Sequence, residues 1–299
     1  MARARIGKLF HLTPLVDSLA DAEYFFSAVF SPLVMMRNYS AHWHRHAAIY
    51  IIGETSIEPM ECLGPPPGEE ATSWFRYVDK FGPRVHNMAF YVENIDDLAR
   101  RLEEAGVRIT DAGSGVTVFC HPKDTPGMLE FYPTPDAHWD GGDPRFRPEW
   151  AAFRDAFWAQ NHPLGLQRTS HITVVVDDLA AAEKFYVNVL DAVPLPDQAA
   201  TIAGATARHV AVGEDTIIEL LAPGATDSVA ARDLVRVGQS VTGITFTVKD
   251  ISQTAAFFEL RLPDFVAEVT DHEIRLDLDK TWGCEYRFTD RVLVGDPRV

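Results

Sequence analysis

The chain has 299 residues, 46% of them hydrophobic and 11% aromatic, enough for about two globular domains with substantial cores. Its formal charge of −16 excludes the basic footprint that nucleic acid or an anionic membrane surface requires, which leaves a small-molecule substrate as the expected partner and a homodimer as one admissible assembly. Three cysteines (Cys62, Cys120 and Cys284) without C-x-x-C spacing argue against a disulfide framework or a cysteine zinc site, and no apolar run or signal-like leader is evident, so a reducing cytoplasm is expected.

The first predicted unit opens with the strand Phe10-His11-Leu12-Thr13-Pro14-Leu15-Val16. It continues into a helix whose buried face is Leu19, Ala22, Phe26, Val29 and Phe30. Strand-like runs follow at 34–39, 42–52 and 56–63, until Gly64-Pro65-Pro66-Pro67-Gly68 breaks the pattern. A second unit starts at Val85-His86-Asn87-Met88-Ala89-Phe90-Tyr91-Val92. Asn94 caps its helix, which shows Ile95, Leu98, Ala99 and Leu102 on one face, and strands at 107–110, 116–121 and 128–132 complete it. Each unit reads β-α-β-β-β.

Residues 136–167 have a different texture and read as a linker with an amphipathic helix, whose Trp150, Phe153, Phe157 and Trp158 are expected to pack on the domains. Beyond it the pattern returns. A shift of 160 places His11 on His171, Val16 on Val176, Leu19 on Leu179 and Phe25 on Phe185. A shift of 156 places Val92 on Val248 and Gly127 on Gly283 in a fourth unit. An internal repeat of this kind fixes the architecture before any detail. The expected fold class is α+β, with four βαβββ units paired in sequence into two domains, 1–135 and 168–299. Pairing one with four and two with three is the alternative, which would build a site from Asn87, Glu130, His171 and Glu219.

Repeat-equivalent positions at strand heads and in last strands hold His11, Glu61, Asn87 and Glu130 in the first half, and His171, Glu219, Gly243 and Tyr286 in the second. Glu61 is chosen because Glu61-Cys62-Leu63-Gly64-Pro65 matches Glu219-Leu220-Leu221-Ala222-Pro223, which puts Glu58 on the opposite strand face. One histidine with two carboxylates suits zinc or a divalent first-row metal with open positions for substrate oxygens. A second cluster is His42-Trp43-His44-Arg45-His46, whose three imidazoles share one face of an extended strand and could act as a base near pH 7. His121, His138, His162, His209 and His272 stand alone and read as structural.

These units, strand-head histidines and strand-end glutamates resemble the vicinal oxygen chelate (glyoxalase/bleomycin-resistance/dioxygenase) superfamily across all four units. Phe119-Cys120-His121-Pro122-Lys123-Asp124 before Gly127-Met128-Leu129-Glu130, and Glu61-Cys62-Leu63-Gly64-Pro65, are similar to methylmalonyl-CoA epimerases. The resemblance implies cupped mixed sheets and one divalent metal ion (zinc, cobalt, nickel, manganese or iron). Its ligands would be His11, Glu61 and Glu130, with His86 or Asn87 at the fourth position. Strand phase favours Asn87, whereas a bulge would bring His86 inward. It also raises His44 and His46 as catalytic acid/base residues. The implied activity is that of a metal-dependent lyase, isomerase or epimerase acting on a carbonyl compound through an enediolate-like intermediate. An extradiol-type dioxygenase and a metal-free binder of the resistance type are the alternatives. The second half, with Gly243 and Tyr286, is expected to hold no metal of its own.

Overall fold

The computed structural model describes residues 3–110, 117–135, 142–224 and 226–299; His138 lies outside them. The first half contains β1 (Arg5–Val16), α1 (Leu19–Phe30), β2 (Leu33–Ser40), β3 (Arg45–Ile52), β4 (Thr55–Ile57), β5 (Met60–Cys62), α2 (Ser73–Phe81), β6 (Arg84–Glu93), α3 (Ile95–Glu104), β7 (Ile109–Thr110), β8 (Val118–Cys120) and β9 (Leu129–Pro133). After α4 (Trp150–Arg154), the second half contains β10 (Leu166–Val175), α5 (Leu179–Leu190), β11 (Val193–Pro194), β12 (Thr206–Val212), β13 (Thr216–Ala222), α6 (Val229–Val237), β14 (Ser240–Val248), α7 (Ile251–Arg261), β15 (Val266–Val269), β16 (Glu273–Leu276) and β17 (Glu285–Thr289).

Each half is one mixed sheet. The orders are β2-β3-β4-β1-β6-β9-β8-β7, with β5 beside β1 and β3, and β11-β12-β13-β10-β14-β17-β16-β15. Antiparallel β1–β6 joins unit one to unit two, and antiparallel β10–β14 joins three to four. The units therefore pair in sequence.

The helix-covered faces share one hydrophobic cluster that runs through both halves. Its centre is α1, capped by Ser18 Oγ accepting from Asp21 N. Phe25 and Phe30 are fully buried, and they meet Tyr286 at 5.3 Å and Phe246 at 5.2 Å between ring centroids. The repeated glycines also sit at this seam. Gly127 (φ +78°) presses against Val174 and Val241, and Gly283 (φ +67°) against Pro83. Each takes a left-handed backbone where a Cβ would crowd the other half. In the linker, Trp158 is buried and its Nε1 donates to Phe30 O at 2.8 Å.

Two expectations change. The run 42–52 is not one strand, because residues 41–44 form a turn with His44 at φ +45° and β3 starts only at Arg45. The helices α2 and α6 were not foreseen; each starts on a hydroxyl cap, Thr72 accepting from Phe75 N and Ser228 from Ala231 N. All three cysteines are free. No helix among the described residues is long and apolar enough to cross a membrane.

Candidate active site

The face of the first sheet opposite α1 lines a cavity of about 290 Å³ whose polar wall includes His11, Thr13, Arg45, Glu58, Asn87 and Glu130. One-residue register shifts in the β1–β6 ladder shape it. Leu9 faces Phe90 but His11 faces Ala89, so Phe10 is extra in β1 and both Phe10 and His11 line the cavity. His11 is 3% exposed, and its Nε2 lies 3.5 Å from Glu58 Oε2 and 3.6 Å from Glu130 Oε2. Asn87 Nδ2 donates to Glu130 Oε2 at 2.8 Å. Burial, and then the charge of Glu130, hold the Tyr132 hydroxyl far above the usual phenol range, so it stays a neutral donor to that carboxylate.

Glu58 is as buried as Glu130, at 5%. Among the described residues no hydrogen-bond donor reaches its carboxylate, whose nearest polar neighbours are His11 Nε2 and, at 4.0 Å, Arg45 Nη2. His11 Nδ1 and Thr13 Oγ1 are likewise buried without a hydrogen-bond partner. No three His, Cys, Asp or Glu side chains among the described residues form a ready-made metal cluster. His11 instead lies near each carboxylate separately.

The structure does not place Glu61 in this cup. Its Oε2 accepts from Leu19 N at 3.1 Å and so caps the start of α1. Parallel pairing sets Leu12 against Ile57, and in the second half Ile172 against Ile218 and Thr173 against Glu219. Glu58 is therefore the counterpart of Glu219. The signal was present in Gly53-Glu54-Thr55-Ser56-Ile57-Glu58 beside Gly213-Glu214-Asp215-Thr216-Ile217-Ile218-Glu219, where one added residue in the turn moves the shift from 160 to 161.

His86 and Asn87 both lie on the cup side, for a bulge exists there: Thr13 faces Asn87, Pro14 faces Val85, and His86 is the extra residue. Only Asn87 lines the cavity of His11. His86 sits in an adjoining chamber with Trp74 and Tyr77, and its Nδ1 lies 2.9 Å from Asn87 Oδ1. Burial lowers its pKa to about 4, which leaves it neutral and orients Asn87. His44 and His46 are not in the cup. His44 Nε2 pairs with Glu69 Oε2 at 2.9 Å, and His46 packs on Tyr39 at 5.0 Å. Alternation along β3 and its entry turn gives the cup Trp43, Arg45 and Ile49 instead.

The second cup is built on the same backbone and closed from within. Thr173 Oγ1 and Thr201 N both donate to Glu219 at 2.7 Å, and Thr201 Oγ1 lies 2.8 Å from His171 Nε2. Burial lowers His171 to about 4. His209, which stood alone in the sequence, has its Nε2 3.8 Å from Glu219 Oε1. Ala89 pairs with Glu130 and Thr245 with Arg287, so the counterpart of Glu130 is Arg287, not Tyr286. Tyr286 points the other way, into the rings of α1.

The whole chain superposes on 4-hydroxymandelate synthase from Streptomyces coelicolor (a triple mutant) with a TM-score of 0.64 and 16% identity, covering 97% of this chain and 94% of that one. The 2,3-dioxygenase LapB from Pseudomonas sp. KL28 gives 0.57 and 11%, covering 100% and 96%. Residues 168–274 match the family model described as Glyoxalase/Bleomycin resistance protein/Dioxygenase superfamily. This is the two-domain vicinal oxygen chelate fold. A methylmalonyl-CoA epimerase from Mycobacterium tuberculosis aligns with 45% of this chain and 93% of its own at 23% identity, with a TM-score of 0.38. No protein with a curated description matches the sequence. The matched residues 168–274 lie in the half whose cup is closed by Thr201, whereas the open cup belongs to the other half.

Proposed function

We propose that the first cup is the catalytic site of a metal-dependent lyase, isomerase or epimerase acting on a small carbonyl compound. The observation that carries the reading is the pair of buried carboxylates flanking His11 Nε2 at 3.5 and 3.6 Å. Buried charges are normally paired or coordinate a metal. Two ligand atoms on one tetrahedral zinc-like ion are separated by about 3.4 Å, close to both distances. His11, Glu58 and Glu130 would hold the ion, with Asn87 beside it. When bound, the ion would supply Lewis acidity toward a substrate oxygen.

The chain's own residues supply the rest. Glu130 Oε2 is held in place by Asn87 Nδ2. Glu58 is the carboxylate without a donor, and its Oε1, toward Arg45, is placed to take a proton from a substrate carbon. The Arg45 guanidinium lies 5.0 Å over the Trp74 ring and offers an anionic substrate group a partner. Met36, Ile49 and Met60 keep this wall of the cavity apolar and exclude water.

The rival is an extradiol-type dioxygenase, favoured by the whole-chain likeness to LapB. That chemistry uses two histidines and one carboxylate, and the first cup offers one imidazole while Arg287 replaces the carboxylate in the second. The test is hydrogen exchange at the carbon next to the carbonyl of 2-oxo acids in D2O, run beside oxygen uptake with catechols on the metal-loaded chain. Exchange that is abolished by Glu58→Gln is the expected result. Oxygen-consuming ring cleavage would establish the rival. Ligand binding without either reaction would make the protein a binder.

A further inference from the structure

We infer that a second chamber behind Trp74 is the subsite for an aromatic end of the substrate, and that the Trp74 indole is the wall limiting how far that end reaches. The inference rests on the proposed function for the polar end only. Trp74 is 8% exposed in the first turn of α2 and meets Trp43 edge-on at 5.0 Å. On one side lies the cavity of about 290 Å³ with His11, Glu58 and Glu130. On the other lies a chamber of about 370 Å³ with Tyr77, His86, Phe119 and Met128. Trp43 and Trp74 line both.

The second half is an internal control. At the shift of 156, Ala230, Asp233 and Thr242 stand where the first half has Trp74, Tyr77 and His86. In the β14–β17 register, Glu285 and Arg287 stand where the first half has Met128 and Glu130. All five line one undivided cavity of about 410 Å³. The counterparts of the inner cup, His171, Thr173 and Glu219, do not line it, so this cavity runs from the outer positions inward only as far as Arg287. Where the second half has Ala230 the first has Trp74, and in the first half the indoles of Trp43 and Trp74 are the walls common to the two chambers.

The chemistry of the outer chamber also differs between the halves. Asp233 and Glu285 give way to Tyr77 and Met128, and Phe119 faces them. Among the described residues, none that lines the chamber is Asp, Glu, Lys or Arg. Aromatic walls with a few polar groups suit a planar apolar group. The inner cavity alone is at the small end of the roughly 300–1,000 Å³ usual for ligand sites, and the two chambers together reach its middle. The class of substrate is therefore an oxygen-bearing head joined to an aryl group.

Calorimetry on the full chain tests this with three probes: indole, pyruvate and phenylpyruvate. Indole is expected to bind without added metal and to be displaced by phenylpyruvate but not by pyruvate. With Mn2+, phenylpyruvate should bind at least tenfold more tightly than pyruvate. Met128→Glu, which copies the second half, should abolish indole binding and remove that preference while the circular dichroism spectrum is kept. Trp74→Ala should improve binding of the bicyclic indole-3-pyruvate about tenfold relative to phenylpyruvate. Indole bound equally by wild type and Met128→Glu, or no benzyl preference in a chain that binds both oxo acids, overturns the subsite. Indole binding lost in Met128→Glu, with no oxo acid bound with or without Mn2+, upholds the subsite and removes the metal reading instead.

Discussion

Glu58 and Glu61 stand three residues apart, and the structure assigns them opposite work, so exchanging each for glutamine gives two different signatures. Glu58 points at His11 Nε2 from 3.5 Å with no donor among the described residues, and Glu61 caps Leu19 N. A divalent ion present at a hundredfold excess over its Kd stabilises the folded chain by about 2.7 kcal/mol. Both halves share one hydrophobic cluster, so the chain should melt as one unit, and that stabilisation corresponds to roughly 5–10 °C in Tm. Glu58→Gln removes one of two charged donors, so the metal-dependent rise should all but vanish. Glu61→Gln should lose a helix-capping interaction worth about 1 kcal/mol, lowering the metal-free Tm by roughly 2–4 °C and leaving the rise intact. Differential scanning calorimetry with and without Zn2+ or Mn2+ reads both quantities. A rise lost in the Glu61 variant and kept in the Glu58 variant would refute the assignment. No rise in the wild type would refute the metal site itself.

Other outcomes follow from the same geometry. Metal analysis should find one ion per chain, because Arg287 places a cation where the second cup would need its carboxylate; two ions per chain would contradict this. Tyr286→Ala should cost about 3–5 kcal/mol in urea unfolding, as a buried ring lost from the α1 seam, and leave metal content unchanged. Burial lowers His162 and His171 to about 4 in the folded chain, against about 6.5 in the unfolded one. Below pH 6.5 the unfolded chain therefore binds more protons, and stability should fall between pH 6.5 and 4 by about 3 kcal/mol for each imidazole, with a flat profile above pH 7. Urea midpoints at pH 7.5 and 5 check this, and His171→Gln should reduce the slope; equal midpoints would contradict it.

The repeats were legible because helical spacing in α1 and α3 and the strand-head histidines recur at fixed shifts, whereas the choice between sequential pairing and pairing one with four needed the β1–β6 and β10–β14 ladders. Side-chain facing was harder, since a slip of one residue turns a whole strand over. Two such slips decide the site. One residue gained in the Glu214-Asp215-Thr216 turn makes Glu58 the counterpart of Glu219, and one gained after Gly283 makes Arg287 the counterpart of Glu130. Matching short blocks without the insertions led to Glu61 and Tyr286. The imidazoles of His42, His44 and His46 were placed on one strand face, but a turn precedes β3 and only its odd-numbered neighbours face the cup. The roof helix α2 was overlooked because its nine residues follow a Pro/Gly break, although Thr72 and the spacing of Trp74, Tyr77, Val78 and Phe81 mark a capped helix.

The strongest argument for activity in the first half comes from comparing the two cups. Their backbones are equivalent, so a difference in how buried polar groups are satisfied reflects the side chains and loops each has acquired. In the second cup, Glu219 receives two hydrogen bonds at 2.7 Å and His171 Nε2 has Thr201 Oγ1 at 2.8 Å. In the first, Glu58 has no donor among the described residues, and His11 Nδ1 and Thr13 Oγ1 have no partner. An unsatisfied buried polar group costs about 1–3 kcal/mol, and more if charged. In the second cup the Thr201 loop supplies these partners, and at the first cup no described residue does so for Glu58. Buried polar atoms without a partner occur in both cups, His11 Nδ1 and Thr13 Oγ1 in the first and His209 Nδ1, His209 Nε2 and Arg287 Nε in the second. The contrast therefore lies in the carboxylates alone, Glu219 with two donors and Glu58 with none among the described residues. On the reading proposed above, Glu58 is the carboxylate left free to meet a ligand, whereas Glu219 is met by the chain's own Thr173 and Thr201.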